Sequence, residues 1–247
     1  MMKRAFFLVT ILLLSIACNK DNDLGTTDNG ELPAVYELMY GATDVYVDGN
    51  YIIIKSTGLP DHKSPYYLDT EWESTLYQAY NGSNANFNLN PNRIDAFSYT
   101  FKIPKNPTVA SSHSSTPGGP IGVSLNGVPF FNQYAAMGAA LTGEINSFDQ
   151  YNGHPQQQGG YHYHVEPLYL TSTKGKTALL GFLLDGFPVY GPTEDGIAVV
   201  NADLDAYHGH THATTEYPDG IYHYHITTAD PYINGSGFYG TAGTVSF

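Results

Sequence analysis

Apolar and polar positions alternate along several short stretches of the chain, and turn dipeptides separate these stretches. They read DVYVDGNYIIIKSTG, DAFSYTFKIP, PIGVSLNGVPFF, TALLGFLLDGFPVYG and GIYHYHIT. Alternation with a period of two is typical of half-buried strands, and Asn-Gly or Asp-Gly pairs are typical of tight hairpin turns. Such pairs lie within or beside these stretches at Asp48-Gly49, Asn126-Gly127, Asp185-Gly186 and Asp219-Gly220. The pattern predicts a mostly β fold.

Helical periodicity is scarce. The best helical candidate is the small-residue stretch QYAAMGAALTG at 133–143, although its two glycines lower its helix propensity. Only 13% of the residues are charged, whereas glycine, proline, tyrosine and asparagine are plentiful, as is typical of turn-rich β domains. A chain of this length can bury a full core as one large domain.

An internal repeat appears when the second half of the chain is laid over the first at a spacing close to 60 residues. Three blocks align in the same order: IGVSLNGVPFF (121–131) with LGFLLDGFPVY (180–190), FDQYNGH (148–154) with LDAYHGH (204–210), and YHYHV (161–165) with YHYHI (222–226). The repeats are predicted to span about 120–166 and 180–227. Two similar units are most simply packed about a pseudo-two-fold axis, as a sandwich or a distorted barrel.

The repeated Tyr-His-Tyr-His tetrapeptide carries the candidate chemistry. Side chains alternate between the faces of a strand, so His162 and His164 are predicted to share one face, and His223 and His225 likewise. Two imidazoles at such spacing can converge on one Zn, Cu or Fe ion. A further histidine precedes each pair, His154 and His210, each after a glycine that we expect to permit an unusual turn.

Each repeat therefore offers three imidazoles, which is the ligand set of a catalytic metal site with one open position. The alternative is a half-buried sheet whose imidazoles bond to backbone carbonyls without a metal. In a second structural interpretation, each Asp-x-Tyr-x-Gly-His is a hydrogen-bonded turn that fixes the repeat. His208 and His212 have no counterparts in the first repeat and are interpreted as loop residues or accessory ligands.

The N-terminal segment indicates export. Lys3 and Arg4 precede an apolar run that is shorter than the roughly 20 residues of a spanning helix, and Cys18 follows a small residue. This pattern predicts a lipoprotein signal peptide at 1–17, lipidation of Cys18, a flexible acidic tether at 18–33 and a folded domain at 34–247. The expected location is the outer membrane, facing the periplasm or the cell surface, with the membrane as a partner through the lipid anchor.

Charge and missing motifs exclude several function classes. The formal net charge is −13, and the ten lysines and arginines are scattered, so nucleic acid is not expected as a partner. Cys18 is the only cysteine, so a metal site must use histidine, carboxylate or backbone oxygen. The sequence has no nucleophile elbow, phosphate-binding loop or dinucleotide fingerprint.

These motifs resemble those of the YHYH domain family of bacterial proteins. The resemblance extends over roughly residues 45 to 240 and rests on STGLPDH, PIGVSLNGVPFFN, FDQYNGHP, GGYHYHV, LLGFLLDGFPVYGP and DGIYHYHIT. Related sequences often carry a cysteine where this chain has Tyr151 and Tyr207, which excludes a thiolate there. The resemblance implies no defined activity. It does draw attention to His62 as a further candidate ligand and to Asp61, which would orient an imidazole or act as a general base.

Three functions remain open from the sequence. The first is a cell-envelope protein whose histidine-rich domain binds Zn or Cu. The second is a metal-dependent hydrolase or oxidase that uses an open three-histidine site, so the sequence leaves open whether the protein is an enzyme. The third is a surface glycan-binding or adhesion domain with structural histidines. A small-molecule or glycan ligand fits the last two. The histidines could form one shared site or two, and we expect one shared cluster.

Overall fold

The computed structural model describes residues 30–235 and 237–247. The predicted signal peptide at 1–17, Cys18 and most of the predicted tether therefore lie outside the described residues. The first described element begins at Ala34, close to the predicted start of the folded domain. Among the described residues, no helix is long and apolar enough to cross a membrane.

Strands dominate the described chain, which confirms the predicted mostly β fold. In chain order they are β1 (Asp44–Asp48), β2 (Tyr51–Ser56), β3 (Tyr99–Pro104), β4 (Gly122–Ser124), β5 (Pro129–Phe130), β6 (Tyr134–Ala135), β7 (Ala139–Ala140), β8 (Gly153–Pro155), β9 (Tyr161–Tyr163), β10 (Leu179–Leu183), β11 (Pro188–Tyr190), β12 (Thr193–Glu194), β13 (Ile197–Ala198), β14 (Gly209–His212), β15 (Ile221–His225) and β16 (Thr244–Ser246). The α-helices are α1 (Glu73–Leu76) and α2 (Leu168–Lys174). Short 3-10 helices lie at Ala34–Leu38, Pro65–Tyr67, Ala136–Gly138, Glu144–Ser147 and Asn201–Asp203.

Eight strands form a large sheet in the order β14-β15-β11-β10-β4-β5-β9-β8, and four form a smaller sheet in the order β1-β2-β3-β16. Within the described residues the large sheet is open, with β8 and β14 at its edges. Two ribbons, β6-β7 and β12-β13, stand apart from both sheets.

The large sheet has the same pairing pattern when read from either end. At one end β8 pairs antiparallel with β9, β9 pairs parallel with β5, and β5 forms a hairpin with β4. At the other end β14, β15, β11 and β10 repeat these three pairings. The halves join through antiparallel pairing of β4 with β10. This arrangement puts the two Tyr-His-Tyr-His strands near opposite ends of the sheet.

The predicted tight turns are present and close the hairpins. Gly49, Gly127, Gly186 and Gly220 all have positive φ, between 57° and 85°, which glycine adopts without strain. The amide of Gly127 donates to the carbonyl of Ser124 at 2.8 Å, and that of Gly186 to Leu183 at 2.9 Å. The short loops keep each hairpin in register, and the register determines which side chains face each other.

The two sheets share one apolar core, in a sandwich-like packing. Ile52 and Ile54 of the smaller sheet are fully buried in the same cluster as Phe130 and Phe182 of the larger sheet. The Ser56 hydroxyl at the end of β2 donates to the carbonyl of Gly127 at 2.7 Å and ties the sheets together. The rigid core therefore lies behind the strands that carry the histidines.

The helix predicted at 133–143 is wrong. The chain forms the β6-β7 ribbon there, with a 3-10 turn at Ala136–Gly138. Met137 and Gly138 both have positive φ, at 59° and 74°, so the chain reverses direction where a helix would have to continue. The abundance of alanine favoured a helix, but glycine and the tertiary structure determined the outcome.

Candidate metal centres

Histidine and tyrosine occupy opposite faces of β9 and β15, as the strand pattern predicts. On one face the hydroxyl of Tyr161 donates to Asp149 at 2.8 Å, and that of Tyr222 donates to Asp205 at 2.9 Å. On the other face lie the imidazoles. The tyrosines attach the strands to the core, so the imidazoles are held in fixed positions.

The first centre consists of His154, His162 and His164. His154 lies on the edge strand β8, directly opposite His162 of β9. The Nε2 atom of His162 is 3.1 Å from that of His154 and 2.9 Å from that of His164. All three side chains are buried. Three ring nitrogens therefore point at a single location.

The Nδ1 atoms of the first centre are all engaged elsewhere. His162 Nδ1 is 3.0 Å from the Gly160 carbonyl, and His164 Nδ1 is 2.6 Å from the carbonyl of Asn132. His154 Nδ1 is 2.7 Å from Ser147 Oγ, whose own proton goes to the carbonyl of Glu144. A carbonyl can only accept, so each Nδ1 must carry the proton, and each Nε2 has a lone pair.

Lone pairs that face one another at this distance repel unless a cation or a proton lies between them. Burial lowers the pKa of His154 to about 3 and that of His164 to about 4, and it also lowers the pKa of His162. Protonation is therefore disfavoured at neutral pH. Zn–N bonds of about 2.0–2.1 Å in a tetrahedral site place nitrogens about 3.4 Å apart. The first centre fits a metal ion after small relaxation.

The second centre consists of His210, His223, His225 and Glu194. His210 lies on the edge strand β14, directly opposite His223 of β15. The Nε2 atoms of His223 and His225 are 3.1 Å apart, and one ligand atom from each of the four residues lies within 4.8 Å of all the others. The same two-strand arrangement thus presents a second group of ring nitrogens.

The second centre also has its imidazoles oriented by the backbone. The Nδ1 atoms of His223 and His225 are both 2.9 Å from carbonyls, those of Ile221 and Gly191. Burial lowers the pKa of His223 to about 4 and also lowers that of His225. His210 Nε2 is buried without a hydrogen-bond partner. A metal ion would satisfy that atom.

The predicted Asp-x-Tyr-x-Gly-His turns are present in both halves. Asp149 Oδ1 accepts from the amides of Tyr151 and Gly153 at 2.8 and 3.3 Å. Asp205 Oδ1 accepts from Tyr207 and Gly209 at 2.9 and 3.2 Å. The turn fixes the strand that carries the first histidine of each centre. The hydrogen-bonded turn and the histidine cluster are therefore parts of one arrangement.

The glycine before each of these histidines serves a different purpose from the one expected. Gly153 and Gly209 do not have positive φ; Asn152 and His208, one residue earlier, do, at 66° and 75°. A Cβ on Gly153 would collide with the Tyr161 ring, and one on Gly209 would collide with the Tyr222 ring and the His223 carbonyl. Glycine is needed there for close packing of the tyrosine.

Neither His62 nor Asp61 lies in either centre. His62 is buried behind the first centre, where its Nε2 accepts from the Tyr163 hydroxyl at 3.2 Å. Burial lowers the pKa of His62. Asp61 Oδ1 accepts from Asn126 Nδ2 at 2.9 Å. Both residues belong to the hydrogen-bond network on the tyrosine face.

The expectation of one shared histidine cluster is wrong. Strands β9 and β15 are separated by four strands of the large sheet. At about 4.8 Å per strand, the centres would be roughly 24 Å apart in a flat sheet. The parallel pairings β5-β9 and β11-β15 place each histidine strand outside its hairpin, toward an edge. Two separate centres result.

Sequence reasoning missed two carboxylates. Glu194 lies on the β12-β13 ribbon and reaches the second centre, with Oε2 at 3.5 Å from His210 Nε2. Glu144 begins a 3-10 turn, and its Oε1 is 3.5 Å from His154 Nε2. Burial raises the pKa of Glu144. Both residues lie in short segments outside the two sheets, where neither periodicity nor the aligned blocks signal a ligand.

The two histidines without counterparts have different surroundings. His212 is half exposed, and its Nδ1 lies 2.9 Å from Glu194 Oε1, so it is an accessory group of the second centre. His208 is buried, and its Nε2 is 3.1 Å from the Thr227 hydroxyl. His208 therefore stabilises the turn and takes no part in either group of ligands.

Each centre opens onto a cavity. The one beside the first centre has a volume of about 450 Å³ and reaches His162 and His164. The one beside the second centre has a volume of about 390 Å³ and reaches His223, His225 and Glu194. Both are large enough for a small molecule.

A protein-family model described as YHYH protein matches residues 100–200 and 192–236. These ranges cover more than half of the chain and include every residue of both centres, which confirms the resemblance seen in the sequence. No curated protein and no solved structure matches the chain.

Proposed function

The chain belongs to the YHYH protein family, and we propose that its domain binds two transition-metal ions, Zn²⁺ or Cu²⁺, one at each histidine centre. The observation that carries this proposal is the convergence of Nε2 atoms whose Nδ1 atoms donate to fixed oxygens. Metal-binding histidines commonly donate their second ring N–H to such an acceptor, which sets the tautomer and the ring direction.

The donor set supports a first-row transition metal. Neutral imidazole nitrogens suit Zn, Cu, Fe and Ni, whereas Mg and Ca prefer oxygen ligands. Burial lowers the pKa of His154 in the first centre and of His223 in the second, so these ligands are already neutral at pH 7 and no proton has to be displaced from them. An all-structural role leaves the facing lone pairs unexplained.

Elemental analysis by inductively coupled plasma mass spectrometry tests the proposal on purified untagged protein. We expect two metal ions per chain in the wild type. The variants His162→Ala/His164→Ala and His223→Ala/His225→Ala should each retain one. His113→Ala removes an exposed histidine outside both centres and should retain two. A wild-type protein that stays metal-free after reloading would sink the proposal.

A metal-dependent hydrolase or oxidase is the second candidate, and the cavities beside the centres favour it. An enzyme of this kind needs a free coordination position next to a pocket. Turnover that disappears on chelation and returns with metal distinguishes it from simple metal binding. Stoichiometric metal without turnover of ester, phosphate or phenolic substrates leaves the binding role.

For cellular location, we propose a lipoprotein of the outer membrane, anchored through Cys18. The support comes from the sequence alone: the basic start, the short apolar run and the small residue before Cys18. Labelling of cells with radioactive palmitate tests this. The wild type should incorporate label and Cys18→Ala should not; label in the variant contradicts the proposal.

We further propose that the two halves are an internal repeat. Three aligned sequence blocks support this, as do the matching strand pairings at both ends of the large sheet and the equivalent hydrogen bonds of Asp149 and Asp205. The metal centres would then be two copies of one ancestral centre. An experimental structure tests the repeat: superposition of 120–166 on 180–227 must bring the three imidazoles of each half together.

A further inference from the structure

Resting on the proposed function, we infer that the two centres differ in coordination. The second centre is closed by a fourth protein ligand, Glu194, whereas the first keeps one position open for a small molecule that enters from the adjacent cavity. By the general rule for zinc, four protein ligands make a structural site and three make a site that binds an external ligand.

Glu194 is placed to complete the second centre. Its Oε2 lies 3.5 Å from His210 Nε2, and its Oε1 lies 3.8 Å from His223 Nε2 and 4.0 Å from His225 Nε2. These separations are close to the ligand spacing of a tetrahedral zinc site, about 3.4 Å. The carboxylate is held there by His212, whose Nδ1 is 2.9 Å away.

The first centre has no such fourth ligand. The carboxylate of Glu144 approaches only His154, at 3.5 Å. It does not belong to the group of ligand atoms, one from each histidine, that lie within 4.8 Å of one another. Across residues 30–235 and 237–247, no other His, Cys, Asp or Glu joins the three imidazoles. A tetrahedral ion at this centre therefore has one free position.

The cavity beside the first centre indicates the class of ligand. It reaches His162 and His164 and is lined on one side by Phe131, Tyr134 and Met137. The side chain of Glu144 also lines this cavity, so an anionic head would have to bind at the metal ion. Ring atoms of Phe131 cover one face of His162, with centroids 3.9 Å apart. We therefore assign to this centre a small molecule with a metal-binding anionic head and an apolar body.

Azide binding to the cobalt-loaded protein tests the open position. Co²⁺ replaces Zn²⁺ in such sites, and its visible spectrum changes when an external ligand binds. With two Co²⁺ ions per chain, we expect one equivalent of azide to bind. Glu194→Ala should raise this to two equivalents, and His162→Ala/His164→Ala should lower it to none. Glu144→Gln is the matched control and should stay at one.

The outcomes distinguish failure of the proposed metal binding from failure of the inferred difference in coordination. A chain that takes up no Co²⁺ contradicts the proposed function itself. If the wild-type chain takes up two Co²⁺ ions but binds either no azide or two equivalents of azide, metal binding stands and the inference is overturned. An increase in azide binding caused by Glu144→Gln would also overturn it, because it would make Glu144 the closing ligand.

Competition against bound azide tests the ligand class. Benzoate and acetate carry the same head, and burial of the ring against the apolar wall should let benzoate displace azide at a roughly tenfold lower concentration, equivalent to about 1.4 kcal/mol. Tyr134→Ala should reduce this preference. Equal displacement by the two acids in the wild type would overturn the assignment of an apolar body.

Discussion

The two centres share the same arrangement of strands and histidines but differ in the residues that surround it. In each, an edge-strand histidine faces the first histidine of a Tyr-His-Tyr-His strand, and backbone carbonyls orient the latter strand's rings. The difference lies in the segments before the Gly-His element. There the first half supplies an apolar wall and the carboxylate of Glu144, which approaches only His154, whereas the second half supplies the carboxylate of Glu194, which approaches all three histidines. Strands thus determine where the imidazoles lie, and the ribbons determine what else a metal meets.

The tyrosine faces differ in a similar way. The hydroxyl of Tyr163 accepts from the Asn126 side chain at 3.2 Å, while that of Tyr224 donates to Asp185 at 2.6 Å. Asn126 and Asp185 occupy matching turns. In this turn the second half therefore buries a carboxylate where the first half buries a neutral amide. The turn of the second half should thus make stability depend on pH, and the matching turn of the first half should not.

Metal binding should give the largest stability effect. A ligand at about a thousand times its Kd stabilises the folded state by about 4 kcal/mol, so we expect about that gain from each centre. Urea unfolding with and without Zn²⁺ measures it. His162→Ala/His164→Ala and His223→Ala/His225→Ala should each lose one centre's share. A variant that keeps the full wild-type gain contradicts the assignment of that centre.

Removal of the turn aspartates should affect the halves unequally. Asp149 is buried and also accepts from Ser64 at 2.6 Å, so Asp149→Ala should cost about 3 kcal/mol or more in the free energy of unfolding. Asp205 is exposed, and Asp205→Ala should cost about 1 kcal/mol. Urea unfolding of the metal-free proteins measures both costs, and similar values would contradict the comparison.

The pH dependence of stability should identify Asp185. Burial raises its pKa from 3.8 to about 6, so the unfolded state loses the proton first as pH rises. Its contribution is therefore greatest below about pH 4 and falls through pH 6, by about 3 kcal/mol at 1.36 kcal/mol per pKa unit.

Urea unfolding of the metal-free wild type and of Asp185→Asn, measured at several pH values between about 4 and 6, tests this. The difference between their unfolding free energies should change with pH as described. Asp219→Asn, in an exposed turn, serves as the control and should show no such change. A constant difference between wild type and Asp185→Asn would mean that Asp185 titrates normally.

The last effect concerns metal affinity at one centre only and should come from Ser147, which has no equivalent among the described residues around the second centre. Ser147→Ala removes the acceptor of the His154 N–H, and loss of such a partner lowers metal affinity by about tenfold or more. Competition with a chromophoric zinc chelator measures this in the His223→Ala/His225→Ala background. Ser172→Ala, on the exposed side of α2, should leave the affinity unchanged, as should Ser147→Ala when only the second centre remains.

The sequence predicted the parts of the fold that depend on local pattern. Period-two alternation identified the strands, Asn-Gly and Asp-Gly pairs identified the turns, and the aligned blocks brought together the three imidazoles of each centre. The one helix predicted from composition, at 133–143, failed because Met137 and Gly138 reverse the chain there.

Long-range order was beyond the sequence. Whether the histidines form one centre or two depends on where β9 and β15 lie in the sheet. The alternation of apolar and polar residues in a strand does not reveal which strand it pairs with. Glu194 and Glu144 come from short segments outside the two sheets, and their approach to the histidines is a tertiary contact. The family motif made His62 a candidate ligand, but in the fold its ring accepts a hydrogen bond from the Tyr163 hydroxyl behind the first centre.

Each centre draws its imidazoles from a single short hairpin. His154 and His164 are ten positions apart, and His210 and His225 are fifteen apart. The entropy lost on closing a loop rises only with the logarithm of its length, by about 0.6 kcal/mol per doubling, and here the loops are short. The imidazole ligands of one ion can therefore come together before distant parts of the chain are in contact. We expect metal to speed refolding as well as to stabilise the folded state. Stopped-flow refolding with and without Zn²⁺ would measure this.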